Sequence, residues 1–250
     1  MSLNIINKSS IEHIRQIGGD ELVIEIIDLF FDLVPAVMFE IEMACKNLDH
    51  NLISDLTHKL RSSCGNLGAY ILNDAASELS RLAKEEDDKK IHPQFEIMQE
   101  LFHDCVEDLE CIKKDFGPVK KSVAASKNNN PDKPVVVFVE DNIDNRVLVN
   151  AILSDDYKVI EFDNGADGLC GIEKIIPDIV LLDISLPVMD GMEILKRIRK
   201  NPEISKLPVI ALTAHAMAGD KERFLTAGFD GYHPKPVDER ELQALIASFL

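Results

Sequence analysis

Basic residues are scarce in this 250-residue chain: 27 Lys and Arg stand against 44 Asp and Glu, a formal net charge of −17. So acidic a chain lacks the basic surface that nucleic acid or an anionic membrane requires of a partner. No basic helix-turn-helix segment occurs, which argues against a DNA-binding output. The five cysteines, Cys45, Cys64, Cys105, Cys111 and Cys170, are odd in number and form no CxxC pair. Buried reduced thiols are therefore expected in place of disulfides or a zinc site. The opening MSLNIINKSS has no apolar signal core, and no apolar run reaches the roughly 20 residues of a membrane helix. A cytoplasmic protein is expected.

What is present is enough apolar content, 46%, for true cores. Residues 117–133 are rich in Ser, Asn, Lys and Pro without apolar periodicity, the chemistry of a flexible linker. Residues 1–118 hold 11 Lys/Arg against 23 Asp/Glu, so the acidity is concentrated ahead of this seam.

Before the seam, residues 1–116 read as an all-α helical bundle. Ser9 and Glu12 fit a capping box, and Gly18 and Gly19 end the short helix it opens. Val23, Ile26, Phe30, Leu33, Val37 and Ile41 recur at helical spacing, with Pro35 expected to kink or split the run. Further helices are expected from about Asn51 and over about 69–86 and 92–115. After the seam, residues 134–250 alternate five short apolar runs with helical stretches. VVVFV, IVLL and VIAL are apolar throughout, as strands buried on both faces should be. This (βα)5 order predicts a parallel, doubly wound sheet.

On a helical wheel at about 100° per residue, Ile53, Leu56, Leu60, Cys64 and Leu67 share one face. His58 points the other way, roughly 160° from them, with Arg61, Ser62 and Gly65 beside it. A neutral imidazole is a good nucleophile at neutral pH, and Arg61 one turn on can steady a phosphoryl group placed on it. On the wheel alone, a surface histidine is more often merely solvated. The string HKLRSSCGNLGA at 58–69 resembles the signature of histidine phosphotransfer (HPt) domains, commonly HxLKGSSxxLGA. That resemblance implies a four-helix bundle with His58 as phosphoacceptor. Arg61 stands where the family usually has Lys, and Ser62 replaces its usual Gly, narrowing the approach to His58.

In an open α/β sheet, ligands bind beyond the carboxyl ends of the strands. There the sequence places Glu140 and Asp141, Asp183, Thr213 and Lys235. Three carboxylates together repel unless a cation sits among them, and oxygen ligands alone favour Mg²⁺. An aspartate nucleophile, a metal and a lysine suit phosphoryl transfer, which is mostly positioning and charge neutralisation. Singly, each residue has a plain reading as turn former, helix cap or surface charge. VEDN at 139–142 with Asn145 and Arg146, DISLPVMDG at 183–191, ALTAHAM at 211–217 and the Lys-Pro of YHPKP at 232–236 together resemble response-regulator receiver domains. The resemblance implies a flavodoxin-like fold with strand order 2-1-3-4-5 and Asp183 as phosphoacceptor. It makes Glu140, Asp141, Asp183 and the Ser185 carbonyl Mg²⁺ ligands, Thr213 and Lys235 phosphate contacts, and Thr213 and Tyr232 switch residues.

The two resemblances imply a two-component phosphorelay protein. No ATP-binding kinase motif occurs, so phosphoryl groups are expected from a hybrid histidine kinase or other receiver domains. Direct exchange between His58 and Asp183 is possible across the linker. The alternative is an interaction protein in which phosphorylation of Asp183 controls docking of the helical domain. His13, His50, His92, His103, His215 and His233 form no recognisable ligand spacing, although His215 lies close enough to Thr213 to modulate dephosphorylation.

Overall fold

Four helices make the N-terminal part: α1 (Lys8–Asn47), α2 (His50–Leu67), α3 (Tyr70–Lys84) and α4 (Asp88–Asp115). The computed structural model describes residues 5–116, 133–213 and 220–250. The chain divides into two units, Met1–Ser122 and Val123–Leu250. In the first, each helix packs on its neighbours in the chain and α4 closes the ring against α1.

α1 departs from helical backbone only at Gly18 (φ −136°, ψ 18°) and Gly19 (φ 71°, ψ −168°), where the sequence placed a break. Pro35 does not split it, because the backbone around it stays helical. Proline removes one backbone hydrogen bond and crowds the carbonyl four residues back. Phe30 and Val34 before it, and Met38 and Ile41 after it, are buried and keep the helix seated. The inward stripe therefore runs through Val34 and Met38, while Leu33 is exposed and Val37 is only partly covered. The cap also differs from expectation. Asn7 caps α1, its side chain accepting from the Ser9 N–H at 2.9 Å, and Ser9 lies inside the first turn.

α2 buries Ile53, Leu56, Leu60, Cys64 and Leu67, the predicted face. It ends at Gly68, whose φ of 73° a side chain rarely adopts. A Cβ there would also lie 2.5 Å from Ser10 Oγ. The Asn7 N–H donates to the Gly68 carbonyl at 3.0 Å, so the start of α1 seals the α2–α3 turn. Cys45, Cys64 and Cys105 are buried, but Cys111 and Cys170 are exposed on the outer faces of their helices, against expectation. Burial pushes the Cys45 thiol up to about 11 and the Cys105 thiol to about 12, so both stay protonated.

The second unit alternates β1 (Val135–Val139), α5 (Ile143–Leu153), β2 (Lys158–Phe162), α6 (Gly165–Ile175), β3 (Ile179–Asp183), α7 (Gly191–Lys200), β4 (Val209–Thr213), α8 (Asp220–Ala227), β5 (Gly231–Pro234) and α9 (Glu239–Ala247). The strands form one sheet in the order β2-β1-β3-β4-β5, and every pair is parallel. The three central strands are buried almost throughout, as their unbroken apolar runs require. Val137, Val139, Val180, Leu182, Ile194, Leu195 and Ile198 join the core between the sheet and α6 and α7. Lys133, expected in the linker, is tied to this unit by Nζ donating to the carbonyls of Ser154 (3.0 Å) and Asp155 (2.7 Å). The rest of the expected linker and His215 lie outside the described residues. Among the described residues, no helix is long and apolar enough to cross a membrane.

Candidate functional site

The switch point of the sheet lies between β1 and β3, and both strands deliver acids to its carboxyl rim. Glu140 and Asp141 follow β1 directly, and Asp183 is the last residue of β3. Glu140, Asp141 and Asp183 each offer a carboxylate oxygen, and the three oxygens lie within 4.8 Å of one another. Lys235, just past β5, reaches across the rim. Its Nζ donates to Glu140 Oε2 at 2.5 Å and lies 3.1 Å from Asp183 Oδ1. Thr213 is buried at the end of β4, and its carbonyl accepts from the Lys235 N–H at 2.8 Å. Tyr232 stacks on Phe224 with ring centroids 5.7 Å apart. Ser185 lies two residues beyond Asp183 in the loop to α7. The predicted rim residues of this unit are thus brought to one edge.

The electrostatics follow from burial. Glu140 and Asp183 are 1% and 2% exposed, so their charges are poorly hydrated. Burial, reinforced by the negative charge of Asp183 and opposed by Lys235, pushes the Glu140 carboxyl up to about 7. Burial alone would lower Lys235, but Glu140 and Asp183 more than offset it, and Lys235 stays a firmly held ammonium. Three acids against one ammonium leave an excess of negative charge. Oxygen-only donors at this spacing suit a hard divalent cation, so the residues present fit one.

Three residues outside the predicted set shape this rim. Asn145 Nδ2 donates to Glu140 Oε1 at 2.8 Å, and Arg146 Nη1 donates to the Glu140 carbonyl at 2.8 Å. Their signal was in the sequence, as the Asn-Arg that follows VEDN, without an assigned role. The third is Gly191. A Cβ on it would sit 2.4 Å from the Asp183 carbonyl oxygen, so only glycine lets α7 start this close to β3.

In the helical unit, His58 lies mid-way along α2 and is partly covered, as are Arg61, Ser62 and Gly65 on the same face. A Cβ added to Gly65 would meet nothing within 4 Å. Packing therefore does not demand this glycine, and its effect is to keep the surface beside His58 low. Arg61 is not loose. Its Nε donates to Asn73 Oδ1 on α3 at 3.3 Å. Among the described residues, Glu140, Asp141 and Asp183 are the cluster able to hold a metal, and the remaining histidines join none. His50 instead pairs with Asp88 at 2.8 Å.

Residues 136–247 match the family model of the response regulator receiver domain, and residues 25–111 match that of the Hpt domain. The signal transduction histidine-protein kinase BarA of Escherichia coli (strain K12) is 38% identical over 115 residues, 46% of this chain but only 12% of that protein's length. The polar-differentiation response regulator DivK of Brucella anthropi is 35% identical over 116 residues, 46% of this chain and 94% of that one. The crystal structure of the receiver domain of sensor histidine kinase PA1611 from Pseudomonas aeruginosa PAO1, with a magnesium ion coordinated in its active-site cleft, is 34% identical. It covers 47% of this chain and 97% of its own, at a TM-score of 0.44.

Proposed function

Because this chain belongs to the two-component phosphorelay proteins, joining an Hpt domain to a response regulator receiver domain, we propose that it carries phosphoryl groups on His58 and on Asp183. The observation that carries this reading is the rim itself: Lys235 Nζ sits 2.5 Å from Glu140 and 3.1 Å from Asp183, beside three converging carboxylate oxygens. Such a set places a nucleophile and a cation where a phosphoryl group's charge would accumulate.

At the receiver, an Asp183 oxygen attacks the phosphorus of a donor phosphohistidine. The new O–P bond forms as the donor's P–N bond breaks, and the departing imidazole takes up a proton. Lys235 meets the transferred oxygens with its ammonium, and Thr213 donates its hydroxyl to the product. Glu140, Asp141, Asp183 and the Ser185 carbonyl would hold Mg²⁺, which when bound supplies the charge neutralisation these acids lack. Asn145 and Arg146 hold Glu140 in register for that task. At the Hpt domain, the unprotonated ring nitrogen of His58 attacks an aspartyl phosphate, and the carboxylate leaves. Arg61 contacts the phosphoryl oxygens. Transfers of this kind run in either direction.

The partners in this reading are a hybrid histidine kinase and other receiver domains, with exchange between the chain's own two sites as a further route. The kinship with BarA supports a partner of that class. Exposing the full chain to acetyl phosphate with Mg²⁺ tests the receiver half. Asp183 should acquire a base-labile phosphoryl group, and Asp183→Asn should acquire none. A label that persists in Asp183→Asn would move the site elsewhere.

A further inference from the structure

Asn73 ties α3 to Arg61, a charged residue one turn from His58 on the same face of α2. Its Oδ1 accepts from Arg61 Nε at 3.3 Å, and its Nδ2 donates to the Arg61 main-chain carbonyl at 3.1 Å. One amide thus grips both the side chain and the backbone of a residue 12 positions away, across the α2–α3 turn. Asn73 is held in turn from its own helix. Ser77 Oγ donates to the Asn73 carbonyl at 2.8 Å and lies 3.5 Å from Asn73 Oδ1.

His58 and Arg61 are three residues apart on α2, so their side chains are neighbours on one face. An untethered arginine loses rotamer freedom each time it clamps an anion. One whose Nε is already engaged loses less. With Nε engaged, the Nη1/Nη2 edge is still a two-pronged donor set for an anion. We infer that Asn73 is a positioning residue for phosphoryl chemistry at His58, acting through Arg61 by holding the guanidinium on the face where the phosphoryl group is carried. The inference rests on Arg61 as a phosphoryl contact and deepens it.

The test uses the full chain carrying Asp183→Asn, which removes the receiver's nucleophile, and phosphoramidate as donor. The His58 ring nitrogen forms an N–P bond as the donor's P–N bond breaks. Ammonia leaves and takes the proton shed by the other ring nitrogen. The rate of phosphohistidine formation at His58, mapped by mass spectrometry, is measured with Arg61→Ala, Asn73→Ala and the double variant, and the melting temperature of each is followed. Arg61→Ala should slow the reaction about tenfold and Asn73→Ala about threefold, with the double variant no slower than Arg61→Ala alone. If the two effects multiply, Asn73 acts on the fold and the inference is wrong. If Arg61→Ala is slow while Asn73→Ala matches the parent, the inference falls and the role of Arg61 stands. If Arg61→Ala matches the parent, the role of Arg61 falls and takes the inference with it. Should Asn73→Ala fail to fold, Asn73→Asp keeps the acceptor for Nε and should react within about twofold of the parent. A rate as slow as that of Arg61→Ala would overturn the inference.

Discussion

A carboxyl that holds its proton to about pH 7 competes with any cation for the same oxygens. Glu140 is such a group, raised from 4.5 by burial and by Asp183. Between those two values the folded chain binds this proton more tightly than the unfolded chain does. The group's contribution to stability therefore falls as pH rises through that window. Mg²⁺ should bind more tightly as pH rises from 6 to 8, because the proton must leave first. Glu140→Gln should flatten both trends. Titrations of Mg²⁺ and melting curves over that range check this, and an affinity independent of pH in the parent would contradict it. At this scale the sequence was legible where a residue's chemistry is its own: Asp183, Glu140, Asp141 and Lys235 meet as their strand-end positions implied. It was less legible where a residue works through another. Nothing in the spacing of Asn73 and Arg61 tells that they bond, because that contact depends on how two helices pack.

Helices and strands show the same division. The continuous apolar runs of β1, β3 and β4 announced burial on both faces, and their bounds moved by no more than a residue. The α1 stripe was read one position off at Leu33 and Val37, where Val34 and Met38 face inward, and is met again at Ile41. Spacings of three and four residues are both helical, and only packing against α2 and α4 chooses between them. Two glycines mark what a helix does for a site. Gly65→Ala fills open space and gains helix propensity, so it should raise stability by up to about 1 kcal/mol while slowing phosphoryl arrival at His58. Denaturant unfolding and transfer rates on one preparation check both halves. Gly191→Ala should do the reverse of gain. Its Cβ would meet the Asp183 carbonyl at 2.4 Å, so it should lower both stability and the yield of phosphorylated Asp183. Normal acetyl phosphate labelling of a stably folded Gly191→Ala would show that α7 need not start so close to β3.

Across the whole chain, the two units have complementary chemistry in the proposed function: a nitrogen nucleophile, His58, on a helix face in one, and an oxygen nucleophile, Asp183, among converging carboxylates in the other. The change in pattern at the seam, from helical periodicity to alternating runs, made this division legible. What sequence could not supply was the close fit at each site: the Asn7–Gly68 seal over the α2–α3 turn, and the hold of Asn145 and Arg146 on Glu140. Phosphohistidine and aspartyl phosphate differ in lability to acid and base, so the fate of one phosphoryl group can be followed through the chain. The most direct measurement charges Asp183 with labelled acetyl phosphate, supplies a second receiver's aspartyl phosphate in parallel, and maps the label over time. The account predicts acid-labile label on His58, lost in His58→Gln, and base-labile label on Asp183, lost in Asp183→Asn. Label confined to Asp183, with none ever reaching His58 from any aspartyl phosphate offered, would contradict the relay.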